Sequence, residues 1–526
     1  MKNKQNRKTP AAAIICGVYL SLLGVALPLT VHNAYYDITR TKATVFWLLS
    51  GLFLAAAVLL LCLRSDARGR VRPVSAPDIL FCVFALCQIA ATAIFSGAAN
   101  GFLAPDNRFQ GILSFALYLC VFLLLRRFGA ADGPVRFALL LGFSLTAFIA
   151  ITELFGADPL SLLALSPAAE RVRFTSTVGN ISFLSAMCVL FLPFAAYMAI
   201  SADDTRGRLV YALCALVALC GGLASRAESF ILGLLCFIAA LPVFTSDRRV
   251  LRRVPLLWAA TALVSYIFGL AVSRFAIYPL SELSAILCSP SVALGASAVS
   301  VILYFLLRSR TEDSVDKCRK VYIILLAAFA AALAIFVILA NTALKDDLGG
   351  TAARIFVFSP SWGTDRGAEW ASFWQMFLRS SLPRKLIGGG SGSVIAWDRA
   401  HRVFSDALTD SAHNEYLHYL LTCGVIGLGA YAALLILAVR RALRRPERVR
   451  TALGLACTAY ALQAAVNIAQ PFTTPLFFVF LSLLLSDAEE TESGAESMTF
   501  IRVSLCMLAI VLLIAGSYSS RILSVR

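Results

Sequence analysis

The chain has 526 residues, 59% of them hydrophobic and only 14% charged, with a mean hydropathy of +0.80 and a formal net charge of +16 at pH 7. Soluble domains carry about 25% charged residues, so this composition has too little polar surface to cover a water-exposed globule. The basic residues are scattered over many short segments rather than gathered on one face, which argues against a nucleic-acid partner.

A membrane-spanning helix needs roughly 20 apolar residues at 1.5 Å rise each. Runs of that kind lie near 11–30, 43–63, 78–96, 110–126, 137–155, 181–201, 209–224, 228–245, 255–272, 291–307, 321–341, 415–439, 451–469, 473–486 and 499–517. The sequence therefore predicts an all-α, polytopic transmembrane helical bundle of about 14–15 spans. The first run follows Lys2, Lys4, Arg7 and Lys8 and has the look of a signal sequence, but it is long for one and many spans follow, so it reads as an uncleaved anchor. The expected divisions are 1–170 (N-terminal spans), 171–341 (central spans), 342–413 (a large extracytoplasmic loop), 414–486 (C-terminal spans) and 487–526 (an acidic linker and a last span).

Orientation follows from Lys and Arg in the short loops. With a cytoplasmic N-terminus, the inner segments carry roughly four times as many basic residues as the outer ones. Inner groups include Arg64/Arg68/Arg70/Arg72, Arg248/Arg249/Arg252/Arg253 and Arg440/Arg441/Arg444/Arg445. The outer set is Arg40, Lys42, Arg108, Arg171, Arg173, Arg226 and Arg274. Most of the net charge is thus a topology signal of a protein in the cytoplasmic (inner or plasma) membrane. The fourteen cysteines sit mostly inside expected spans, where small apolar packing residues are the ordinary reading. No CxxC pair, HExxH or other metal-ligand cluster stands out, so neither a metal nor another cofactor is expected.

The segment that invites chemistry lies outside, between about 342 and 413. Loops beyond about 15 residues are uncommon and usually functional or disordered. This one is not disordered in composition: Trp370, Phe373, Trp374, Phe377 and Leu378 follow i, i+3, i+4, i+7, i+8, one face of a helix with Asp365 near its start. That face suits either the lipid interface or packing on the spans. Next comes Gly388-Gly389-Gly390-Ser391-Gly392. It lacks the Lys-Ser/Thr ending of a P-loop, so a tight turn is the default reading, although bare amides at Gly390 and Gly392 can also cradle a phosphate.

Asp410-Ser411-Ala412-His413-Asn414-Glu415-Tyr416 then leads into a span, with Asp410 or Ser411 as the expected cap and His413 in its first turn. All four histidines, His32, His401, His413 and His418, fall on or near the outer face. Arg226 and Glu228 sit in a tight outer turn, where charges this close to hydrocarbon are functional candidates or a locally compensating pair. With Arg108, Arg171 and Arg173 they make an outer surface rich in guanidinium groups, which suit bidentate phosphate contacts and hence an anionic amphiphile.

His413-Asn414-Glu415-Tyr416 followed by Gly424-Val425-Ile426-Gly427 resembles the O-antigen ligase / O-antigen polymerase superfamily. So do Ser225-Arg226, where Ala227 stands in place of the family's frequent Gly, and Arg366, Trp370 and the Gly388–Gly392 run in the large loop. Arg173 with Gly179-Asn180 is similar to the segment that opens a middle span, without the frequent Asn-Pro-Asn. The resemblance covers roughly 170–490. It implies a C-type, metal-independent glycosyltransferase that moves a glycan from a polyprenyl-pyrophosphate carrier to a hydroxyl of a glycan, lipid or protein acceptor on the outer face. His413 would be general base or acceptor orienter, Arg226 and Arg366 would bind pyrophosphate, and Glu415 and Tyr416 would support the His helix. Arg108, Arg171, Arg173, Gly390 and Gly392 are further substrate-binding candidates. The alternatives are a transporter or flippase of an anionic amphiphile, although ionisable residues inside the spans are few (Glu153 is the closest case), and an assembly protein that docks through its outer loop.

Overall fold

In the computed structural model, residues 11–63, 74–129, 133–168, 170–401 and 408–486 are described, and their regular structure is helical throughout. The first six helices are α1 (Ala11–Leu29), α2 (Ile38–Leu63), α3 (Ala76–Phe95), the short α4 (Ala98–Leu103), α5 (Ile112–Phe128) and α6 (Gly133–Leu154). Then come α7 (Ile181–Ser201), α8 (Thr205–Ala224), α9 (Glu228–Phe244), α10 (Arg248–Phe275), α11 (Glu282–Leu287), α12 (Pro290–Arg308) and α13 (Glu312–Ala340). The long loop folds as α14 (Gly350–Phe356), α15 (Trp362–Arg379), α16 (Leu382–Ile387) and α17 (Ser393–His401), and the chain continues through α18 (Glu415–Arg444), α19 (Arg448–Gln463) and α20 (Thr473–Leu484).

Among the described residues ten helices are long and apolar enough to cross a membrane, or eleven if α4, the turn after it and α5 form one span bent by 97°. Helices α1, α9 and α20 are apolar but shorter. Every expected run from 11–30 to 473–486 falls on one of these helices, so the chain is an all-helical, multi-pass membrane protein. The run at 499–517, the acidic linker after 486, the basic residues before 11 and Arg64, Arg68, Arg70 and Arg72 lie outside the described residues.

Helix α7 is the hub. Its apolar residues run around its whole circumference, as a helix enclosed on all sides requires, and 94% of it is buried, against 6% for the peripheral α13. It packs on α8, α9 and α19, while α3 packs on α18 and α1 on α6. Arg126, Asp78 and Lys42 enter this apolar body near helix ends and are answered there. At the end of α5, Arg126 is buried against the fully buried Asp78 of α3 at 2.7 Å, and it also donates to the Leu485 carbonyl. A buried ion pair is tolerated when such additional hydrogen bonds complete it. Helix α2 begins at Ile38, five residues before the expected apolar run. Arg40 and Lys42, counted above as loop residues, therefore lie in its first turns, and the buried Lys42 donates its Nζ to the carbonyls of Pro28 and Thr30 at the C-terminal end of α1.

The long loop is locked to the spans by two glycines. Within α18, Gly424 has φ +69° and ψ −175°, which breaks the helical ladder and frees the carbonyls of Leu421 and Thr422. The amides of Gly389 and Gly390 donate to those two carbonyls at 2.8 and 3.0 Å. The approach is so close that a Cβ on Gly388 would stand 2.2 Å from the Thr422 oxygen, and one on Gly424 would stand 2.3 Å from the Leu386 oxygen. Ser391 completes the latch. Its amide donates to Thr92 Oγ1 of α3, and its hydroxyl donates to the Gln110 carbonyl and accepts from Gln88 Nε2.

Candidate functional site

Helix α15 lies across the end of the bundle from which α18 starts. Its Phe373 and Met376 are buried in a small core with Val394, Ala412 and Leu421, and the Trp370 indole donates to the Ala412 carbonyl at 2.9 Å. Trp374 and Leu378 remain exposed. The amphipathic face therefore divides: Trp370, Phe373 and Phe377 pack inward, whereas Trp374 and Leu378 stay open.

This docking sets up the most specific contact at the site. Glu369, one residue before Trp370, is 2% exposed, and its two carboxylate oxygens lie 2.9 and 3.1 Å from Nδ1 of His413. His413 is not in the first turn of α18 as expected. It sits two residues before the helix, with a left-handed φ of +44°, and the cap is Asn414, whose side chain accepts from the Leu417 amide. The imidazole is 37% exposed. A carboxylate can only accept, so Nδ1 carries a proton, and in the neutral ring Nε2 is the nitrogen that presents its lone pair.

Arg366 is within electrostatic reach of Glu369. It lies in the distorted first turns of α15, where Gly363 and Asp365 have φ of +60° and +67°, and its Nη1 donates to the Val466 carbonyl at 3.0 Å. Burial pulls the Arg366 guanidinium below its ordinary value, and the carboxylates of Glu369 and Glu228 hold it up. Glu228 is the first residue of α9, two residues after Arg226, so the start of that helix is within electrostatic reach of Arg366. Arg226 does not pair with its near neighbour Glu228. Its guanidinium donates to the Val172 carbonyl at 2.8 Å and stands 4.5 Å from the Tyr278 ring, and its buried Nε has no hydrogen-bond partner among the described residues. Burial pulls it down too, with Tyr278 and Glu153 acting in the opposite direction. Gln463 bridges the hydroxyls of Ser185 and Ser229, and Asn467 reaches the Ser182 carbonyl.

The other candidates divide. Arg108 forms a bidentate pair with Asp410, at 2.7 and 2.6 Å, which ties the turn before α5 to the segment leading into His413. Asp410 is therefore occupied by Arg108 rather than capping α18. Arg171 closes its own loop through the Ser166 and Ala164 carbonyls, and Arg173 is exposed beside it. Glu415 is buried among aromatic hydroxyls, accepting from Tyr431 and Tyr460, and Tyr416 donates to the Ala461 carbonyl. Both anchor α18 to α19 and the core rather than touching His413. The Gly390 amide is taken by Thr422, whereas Gly392, with φ +86°, faces open space. Of the remaining histidines, His418 is buried, His401 stacks on Trp397 and His32 pairs with Asp37.

The sequence reading missed Glu369 as the partner of His413. A signal was present: Arg366, Glu369, Trp370 and Phe373 share one helical stripe, so a face packing Trp370 and Phe373 inward carries Glu369 with it. Gln463, Asn467, Ser185 and Ser229 gave no such signal.

Residues 285–432 match the family model described as O-antigen ligase. The matched stretch contains Arg366, Glu369, the glycine latch and His413; Arg108, Arg171, Arg173 and Arg226 precede it. No curated protein matches the chain.

Proposed function

We propose that this multi-pass membrane protein, with its O-antigen ligase family segment at 285–432, is a glycosyltransferase of the outer face of the cytoplasmic membrane. It moves a glycan from a polyprenyl-pyrophosphate carrier to an acceptor hydroxyl. The observation that carries this reading is the His413–Glu369 pair: a half-exposed imidazole held in one tautomer by a buried carboxylate.

His413 Nε2 takes the proton of the acceptor hydroxyl as its oxygen attacks the anomeric carbon. The new C–O bond forms as the bond from that carbon to the pyrophosphate oxygen breaks, and the polyprenyl pyrophosphate leaves with the electron pair. Glu369 stabilises the imidazolium that results, as the carboxylate of a catalytic triad does. Negative charge grows on the leaving pyrophosphate, and buried guanidinium groups aimed at such charge are worth more than exposed ones. Arg226 and Arg366 fit that task, being half-buried and bonded only to neutral carbonyls. With charge stabilisation from arginine and proton transfer from histidine, the reaction asks for no metal and no other cofactor.

The transporter alternative finds little support. Ion-coupled carriers use ionisable residues near mid-membrane, whereas the buried Lys42, Asp78, Arg126, Glu153 and Glu415 all lie within about two turns of a helix end. Purified protein in lipid nanodiscs, given a radiolabelled polyprenyl-pyrophosphate oligosaccharide and an acceptor glycan, should produce a labelled acceptor. Carrier movement across proteoliposomes without label transfer would overturn the reading.

A further inference from the structure

On the far part of α15 from Glu369 lies a cavity of about 1060 Å³, bounded by the ends of α3 and α15 and by α4, α16, the glycine latch and α17. Three guanidinium groups line it from three separate helices: Arg379 at the end of α15, Arg384 on α16 and Arg399 on α17. Asp106 is the one carboxylate among the described lining residues, 3.3 Å from Arg399. Arg384 stands over the Phe95 ring at 5.1 Å, and Arg379 has no carboxylate partner among the described residues. Among the described residues the wall is therefore basic by two charges. Polar residues stand along the same wall: Asn100, Asn107, Ser96, Ser380 and Ser393. Trp397 adds an aromatic surface.

Cationic forks, amide and hydroxyl side chains and an aromatic ring together match a sugar that bears acidic groups. The cavity adjoins the proposed reaction centre without being part of it. Met376 lines the cavity and packs in the same small core as Ala412, the residue before His413. Arg379 lies ten residues beyond Glu369 on the same helix, about 15 Å at 1.5 Å per residue. That separation is the length of an oligosaccharide rather than of a single sugar.

We propose that this cavity holds an anionic acceptor glycan, one carrying carboxylate or phosphate groups, and aligns its terminal hydroxyl toward His413. The assignment rests on the glycosyl-transfer reading for its role, but the binding itself does not depend on that reading.

Full-length protein in phosphatidylcholine nanodiscs is titrated with a fluorescent oligogalacturonide and with its neutral methyl ester. The acidic form should bind at least about tenfold tighter, the scale of a charge-assisted contact. R379Q and R384Q should each lose about tenfold, and D106N, which releases Arg399, should tighten binding. H413A should bind as the unaltered protein does, so that loss of transfer with retained binding separates the site from the chemistry. Equal affinity for acidic and neutral forms, or affinity unmoved by R379Q, R384Q and D106N, would overturn the proposal. So would displacement of the oligosaccharide by phosphatidylglycerol in the disc, which would assign the cavity to a lipid headgroup.

Discussion

Nδ1 of His413 and Oε1 of Glu369 lie 2.9 Å apart although the residues are 44 positions apart in the chain. The carboxylate is buried and the imidazole half-exposed, so one side of the ring is fixed by the protein and the other is left open. The geometry depends on α15 docking through Phe373 and on the Trp370 bond to the Ala412 carbonyl.

Glu369→Gln retains the shape of the side chain but removes the charge and the obligation of Nδ1 to donate. Transfer should fall on the order of 10²- to 10⁴-fold, the range of a positioned acid–base group. The double variant with His413→Ala should be scarcely worse than either single one, because residues acting as a unit are not additive. Turnover of the three variants in the nanodisc assay checks this.

Arg226 and Arg366 are proposed to face the leaving pyrophosphate. Arg→Lys retains the charge but loses the planar fork, and each substitution should lower transfer by about tenfold or more, the scale of a charge-assisted hydrogen bond. Arg366→Gln should do more damage, since it also strips the nearby cation from buried Glu369. Single-turnover rates at saturating donor separate this from weaker binding.

The glycine latch predicts an order of stability. Gly388→Ala combines φ of +92° with a Cβ 2.2 Å from a backbone oxygen, whereas Gly392→Ala meets only the strain of φ +86°. The second should cost about 1–2 kcal/mol, and the first should cost clearly more and lower the Tm further. Thermal unfolding in detergent ranks them.

The Arg108–Asp410 pair is a bidentate contact that remains about one-quarter exposed. A double-mutant cycle of Arg108→Ala and Asp410→Ala should give a coupling of about 1 kcal/mol, reduced by solvent screening. Because Asp410 lies three residues before His413, both single variants should also slow transfer.

Much of the bundle was legible because hydropathy is a local property: each apolar run from 11–30 to 473–486 became a helix. Errors arose where a side chain's partner lies far along the chain. Asp410 is a plausible cap by composition, but Arg108, about 300 positions away, claims it, and Asn414 caps the helix instead. Glu415 stands next to His413's neighbour in sequence, yet Tyr431 and Tyr460 draw it into the core. The Gly-rich run read correctly as a tight turn, while its role in bonding the broken rungs of α18 required knowing that Gly424 interrupts that helix.

The central claim is that His413 moves the acceptor's proton in a glycosyl transfer. The most direct test is label transfer from polyprenyl-pyrophosphate glycan by reconstituted His413→Ala, with insertion and donor binding measured on the same sample. The account predicts normal insertion, retained donor binding and transfer reduced on the order of 10²-fold or more. Full transfer by that variant would contradict it.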